Sequence, residues 1–212
     1  MPRFQRLDLL VYTFQFQHLI LSQQPQLTPS IFHNYFQPAE YLITMSLSKP
    51  SLPVIKTSTL LLTAFTTGLS LTYSTVVTPL LLTSPTPLML QQWKKMFLAG
   101  STHMPPLSII SAVSFFYLAA KSPAHRNLWS TAGGLTLGII PYTLALMMGT
   151  NNELLKREGE LTARAKTSGA VVVSESEEKG AKELVDRWGV LNLGRTAMLL
   201  GAVGLGAWTS LL

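Results

Sequence analysis

Beyond residue 56, four long stretches of this chain contain no Asp, Glu, Lys or Arg: Thr57–Trp93, Met96–Ala120, Asn127–Asn152 and Thr196–Leu212. A bilayer's hydrocarbon core of roughly 30 Å is crossed by about 20 apolar residues of helix. With no water available there, the backbone must satisfy its own hydrogen bonds, so such runs become helices. The expected fold is therefore all-α: a four-helix transmembrane bundle with short interfacial helices and a disordered N-terminal extension.

Composition agrees with that reading. Of 212 residues, 47% are hydrophobic and 12% charged, against about 25% charged in soluble domains. The net charge of +6 does not point to nucleic acid, because the basic residues stand at the ends of the apolar runs, where Lys and Arg anchor helices and set topology. The absence of cysteine removes thiolate nucleophiles, zinc–thiolate sites, iron–sulfur clusters and covalently attached haem.

Residues 1–56 form a distinct segment, expected to be a disordered extension; a loose amphipathic membrane-surface segment is the alternative. The membrane domain is expected over 57–212. Its spans are placed at about 58–82, 105–120, 128–148 and 196–212, with a polar loop over 153–187. The first span is rich in Thr and Ser, which bond back to the preceding turn or across to a neighbour. Leu88–Gly100 reads as a short interfacial helix and Pro105-Pro106 as the start of span two. Pro79 and Pro141 should bend or end their helices. Gly134/Gly138, Ala197/Gly201 and Ala202/Gly206 have the spacing that lets helices approach closely. Ser174-x-x-Glu177 matches a capping box leading into the last helix.

The spans lack internal carboxylates, which argues against an ion pump, a coupled transporter or a carboxylate-bridged metal site. What remains is a polar and aromatic set at span ends: Trp93, His103, Asn151, Asn152, Trp188, Asn192 and Arg195. The topology puts these on one side of the membrane. Trp93 and Trp188 read equally well as interface anchors, Arg195 as a snorkelling cap, Asn151-Asn152 as a helix stop and His103 as a solvated loop residue.

These stretches resemble a known family. Pro141-Tyr142-Thr143, Asn151-Asn152-x-Leu154-Leu155 and Trp188 with Leu191-Asn192 and Arg195, preceded by Gln92-Trp93, Gly100 and Pro105-Pro106, look like the DUF1772 membrane proteins, to which the fungal anthrone oxygenases belong. The likeness covers about Thr57–Leu212. One departure is Val77-Thr78-Pro79, where a residue separates an expected Val-Pro.

The resemblance implies a cofactor-free monooxygenase of fungal polyketide secondary metabolism, converting an anthrone to an anthraquinone with O₂. Its partners would be membrane lipid, a hydrophobic aromatic polyketide and O₂, with a homo-oligomer allowed and nucleic acid excluded. Arg195, Asn151 and Asn152 are the candidate catalytic residues, joined by His103 on chemical grounds alone as a near-neutral base. Trp93, Trp188, Asn192 and Thr143 are the candidate substrate-binding residues. The expected location is an endomembrane such as the endoplasmic reticulum or vesicles, with both larger loops cytosolic by the positive-inside rule. The competing readings are a non-enzymatic membrane scaffold or assembly protein and, more weakly, a carrier of a neutral solute.

Overall fold

Hydroxyl side chains point inward and aliphatic ones outward along the first helix, the reverse of a soluble protein. In a computed structural model, which describes residues 51–168 and 172–212, helix α1 spans Leu52–Thr72. Its buried residues are Thr59, Thr63, Thr66, Thr67 and Ser70, whereas Leu61 and Phe65 are 66% and 59% exposed. The threonines satisfy themselves by donating to the carbonyl one turn back, as Thr63 Oγ1 does to Thr59 (2.7 Å) and Thr67 Oγ1 to Thr63 (2.7 Å). No polar atom is thereby stranded inside, and the exposed aliphatic face suits lipid. The sequence expectation for 1–50 lies outside the described residues.

A π turn at Tyr73–Val77 links α1 to the short helix α2, Thr78–Leu82. Its cause is local. Pro79 has no N–H to donate one turn back, and the Thr78 hydroxyl instead bonds the Tyr73 carbonyl at 2.8 Å. After the Thr83–Pro85 turn, α3 runs unbroken from Thr86 to Lys121. A 3₁₀ turn, Pro123–His125, leads to α4, Arg126–Tyr142. A second π turn, Thr143–Met147, joins it to α5, Met148–Ser168. Helix α6, Glu175–Leu211, closes the bundle.

Several boundaries differ from the sequence expectation. Helix α1 starts at Leu52 rather than near Ser58. Leu88–Gly100 is not a separate interfacial helix, and Pro105-Pro106 does not start one, because α3 passes through both prolines. Pro105 and Pro106 cannot donate to the carbonyls of Ser101 and Thr102, and their neighbours' side chains brace the turn before them. Ser101 Oγ and Thr102 Oγ1 each donate to Leu98 (2.9 Å), and His103 Nδ1 lies 2.8 Å from the Ala99 carbonyl. The polar loop placed at 153–187 is mostly helix, formed by α5 and the first turns of α6. The Ser174 capping box starts α6, with Glu177 N–H donating to Ser174 Oγ at 3.3 Å. Arg164–Glu177, Lys182–Glu178 and Arg157–Glu153 ion pairs decorate this hairpin, and Lys94 of α3 pairs with the nearly enclosed Glu158 of α5.

Among the described residues, four helices or fused helix pairs are long and apolar enough to cross a membrane: Leu52–Leu82, Thr86–Lys121, Pro123–Thr167 and Glu175–Leu211. The protein is an integral membrane protein. Helix α3 packs on α4 and α1, and α6 packs on α4 and α1. Two apolar clusters share the interior. One gathers Met89, Leu90, Trp93, Met147, Leu154, Val185 and Trp188 near the polar hairpin; the other gathers Phe115, Leu118, Trp129, Ala132 and Ala202. Close approach in the second depends on Gly206, where an added Cβ would meet Leu60 Cδ2 at 2.8 Å and Phe115 Cε1 at 3.0 Å. The Gly134 of the expected Gly134/Gly138 seam faces open space instead.

Candidate active site

Between those clusters the helices part. A cavity of about 440 Å³ opens there, lined from every helical span. Tyr73 enters from the first π turn; Met96, Phe97, Gly100, Ser101, Met104, Pro105 and Ile109 come from α3. Ile139 and Ile140 of α4 face Thr143 and Leu144 of the second π turn, Met148 and Asn151 of α5, and Trp188 and Arg195 of α6. The volume lies at the small end of the range of about 300–1,000 Å³ typical of ligand pockets. The backbone irregularities of the bundle cluster around it: both π turns contribute lining residues, and so does the Pro105 turn within α3. Such turns widen a helix and recur at functional sites.

The lining is largely apolar, with three adaptable methionines, but its polar atoms are unusual. Asn151 Oδ1, Trp188 Nε1 and Arg195 Nε are all buried and have no hydrogen-bond partner. Arg195 also lacks an acidic partner among the described residues, where every ion pair involves another cation. Leaving a buried polar group unpaired costs about 1–3 kcal/mol and more for a charged one. All three belong to residues that line the cavity; Thr86 Oγ1, Trp93 Nε1, Ser111 Oγ and Trp129 Nε1 are likewise unpaired but lie outside it.

Aromatic packing fixes the cavity floor. Phe97 stacks on Trp93, with centroids 5.1 Å apart and planes 9° from parallel. Trp93 in turn meets Trp188 edge to face, at 6.1 Å and 87°. Near Arg195, Tyr142 crosses from α4 and its hydroxyl donates to the Leu191 carbonyl at 2.9 Å. It passes directly over Gly194, where an added Cβ would overlap the phenol.

The structure thus brings Arg195, Asn151, Trp188 and Thr143 to one cavity. Trp93 is fully enclosed behind Phe97 and does not line it. Asn192 is also fully buried, but faces α1: its Nδ2 donates to the Ser70 carbonyl and to Ser74 Oγ, both at 2.8 Å. Asn152 and His103 are exposed and outside the cavity. Neither Trp93 nor Trp188 is an exposed anchor, and Asn151-Asn152 does not stop a helix, since α5 continues through both. Sequence reasoning missed Tyr73, Phe97 and the methionines. Phe97, one helical turn after Trp93, carried a signal; Gly100 and Pro105 were already in the motif.

The structure is thus a membrane-embedded helical bundle with a largely apolar cavity lined by a single arginine among the described residues. The family model for anthrone oxygenase matches residues 93–205, which include every cavity residue except Tyr73. The chain is 29% identical to an anthrone oxygenase of Emericella nidulans over 74% of its length and 96% of the relative's. It is 32% identical to an anthrone oxygenase of Claviceps purpurea, covering 66% and 79% of the two chains. With a noranthrone monooxygenase of Aspergillus flavus the identity is 29%, covering 68% and 67%. The chain belongs to the anthrone oxygenase family and is an enzyme of the oxygenase class, which sets aside the scaffold reading. No solved structure matches it.

Proposed function

We propose that this protein oxidises an anthrone to the corresponding anthraquinone with O₂, in the central cavity and without a cofactor. The observation carrying the reading is that Arg195, Trp188 and Asn151, each with a buried polar atom that lacks a partner, line one largely apolar cavity. An anthrone's CH₂ lies between two aromatic rings and opposite a ketone. Loss of one proton gives a delocalised anion that can itself transfer an electron to O₂. Recombination yields a hydroperoxide; loss of water from it yields the quinone, so one O₂ is consumed and one water released per anthrone.

The chain's part is to bind, orient and stabilise. Phe97 offers a flat face braced by Trp93, and stacked rings prefer such offset contacts. Arg195 sets its positive charge beside the oxygen where negative charge gathers; Trp188, Asn151 and Thr143 border the same space. A preorganised donor of this kind is worth about 3 kcal/mol, or roughly 10²–10³ in rate. The relatives' names support the substrate class, and the apolar lining supports a substrate that partitions into lipid. The setting we infer is an endomembrane of a fungal polyketide pathway, with the polar hairpin on the cytosolic side.

The test is oxygen uptake by purified protein in lipid nanodiscs supplied with emodin anthrone. The native chain should speed anthrone loss and O₂ consumption in step, and Arg195→Ala should lower the rate roughly 10²–10³-fold. Equal rates with and without protein would refute the reading.

A further inference from the structure

Among the described residues, Arg195 is the sole charged side chain lining the cavity, and it has no carboxylate partner. Its Nε–H and the neighbouring Trp188 Nε1–H both lack acceptors. A fixed positive charge without a counter-ion in apolar surroundings favours an anion, because low polarity strengthens the attraction. Among the described residues the same lining contains no carboxylate, imidazole or lysine amine. His103, the base that sequence alone suggests, is exposed and stands beside the Ala99 carbonyl. Among the described residues, the ionisable groups whose charge reaches Arg195 are the phenols of Tyr73, on the α1 side, and Tyr142, from α4. From α3 and α5 come Ser101, Met104 and Asn151, which do not titrate.

We propose that the cavity takes its aromatic guest already ionised, as a phenolate or enolate. Arg195 holds the charge and Trp188 donates to the same oxygen. The proton passes to water before or during entry, and the electron pair stays on the guest, so no side-chain base acts. The inference rests on the cavity being the oxygenase site and narrows its substrate class to ionisable hydroxyaromatics and enolisable aromatic ketones. It also separates two tasks that one residue would otherwise share: the solvent removes the proton, and the protein stabilises what remains.

The probe is 2-hydroxyanthraquinone, which has no CH₂ to oxidise and changes colour on ionisation. Titrated with native protein in nanodiscs, its ionisation midpoint should fall by about one pH unit, a tenfold preference for the anion. In Arg195→Gln the shift should vanish, with circular dichroism reporting retained helix. Should that variant fail to fold, Trp188→Phe replaces it and should show a smaller shift than the native protein. No binding, an unshifted midpoint, or an undiminished shift in the folded variant overturns the inference. Oxygen uptake on the same native preparation separates the two claims. A shifted midpoint without uptake refutes the oxygenase reading alone, and uptake with an unshifted midpoint refutes anion capture alone.

Discussion

Asn192 and Arg195 stand three positions apart on α6 and do opposite work. Asn192 is enclosed and fully engaged: besides its two donated bonds, its Oδ1 accepts from Ser70 Oγ at 3.4 Å. Ser70 Oγ also lies 2.8 Å from Thr196 Oγ1, and Ser74 Oγ donates to the Gly189 carbonyl at 2.9 Å. This network ties α1 to α6 beside the first π turn. Replacing Asn192 with Leu would strand the Ser70 carbonyl and crowd the serines, so stability should fall by about 2 kcal/mol. Thermal unfolding in nanodiscs would show the loss; activity in the surviving folded protein should stay near native. Arg195, unpaired, should show the converse pattern. The sequence drew attention to both because polar residues are rare in an apolar run. It could not say which faced a neighbour and which a cavity, because that depends on which helices pack against each face of α6.

At the scale of elements, composition and spacing made the four spans legible, whereas their ends were not. Pro105-Pro106 looks like a helix start because proline suits the first turn. It lies mid-helix because packing of Met104 and Ser108 and the side-chain bonds of the preceding turn hold α3 together. The polar hairpin read as loop, yet its i,i+4 pairs Glu153–Arg157 and Glu178–Lys182 are a helical signature. Contact between α4 and α6 depends on a missing side chain. Tyr142 reaches the Leu191 carbonyl only because Gly194 leaves room. Gly194→Ala should therefore destabilise the protein, by about 1–3 kcal/mol as overpacked sites do. Combining it with Tyr142→Ala should cost less than the sum of the two single changes, measured by a double-mutant cycle of unfolding free energies. Strict additivity would mean that the phenol does not hold the two helices in register.

For the whole molecule, the long helices set a polarity along the bundle axis. The fused α4–α5 run, Pro123–Thr167, has 45 residues. At 1.5 Å per residue it is about 68 Å long, more than twice a hydrocarbon core of roughly 30 Å. Its charged end pairs with α3 through Lys94–Glu158, so the Thr83–Pro85 turn and the α5–α6 hairpin share one side. Since the chain has no native cysteine, single cysteines can map this directly. In sealed vesicles, Ser84→Cys and Glu160→Cys should react with an impermeant maleimide from one face, and Ala124→Cys only from the other. Labelling of Ser84→Cys and Glu160→Cys from opposite faces would break the four-span arrangement.

The same architecture explains why the cavity is hard to see in a sequence. Its lining is drawn from every span, so no short motif contains it, and only the volume left between two packed clusters defines it. Gly100 offers the most direct way to close that volume. A Cβ there would make only ordinary contact with Tyr73 Cε2, at 3.7 Å, so Gly100→Ala should fold and remain active, whereas Gly100→Phe places a ring in the chamber. The decisive measurement is anthrone-dependent oxygen uptake by both variants in nanodiscs, with binding of the anthrone followed by tryptophan fluorescence. Gly100→Phe should remain helical but lose both binding and uptake, while Gly100→Ala keeps them. A helical Gly100→Phe that consumes oxygen at the native rate would contradict the claim that the chemistry takes place in this cavity.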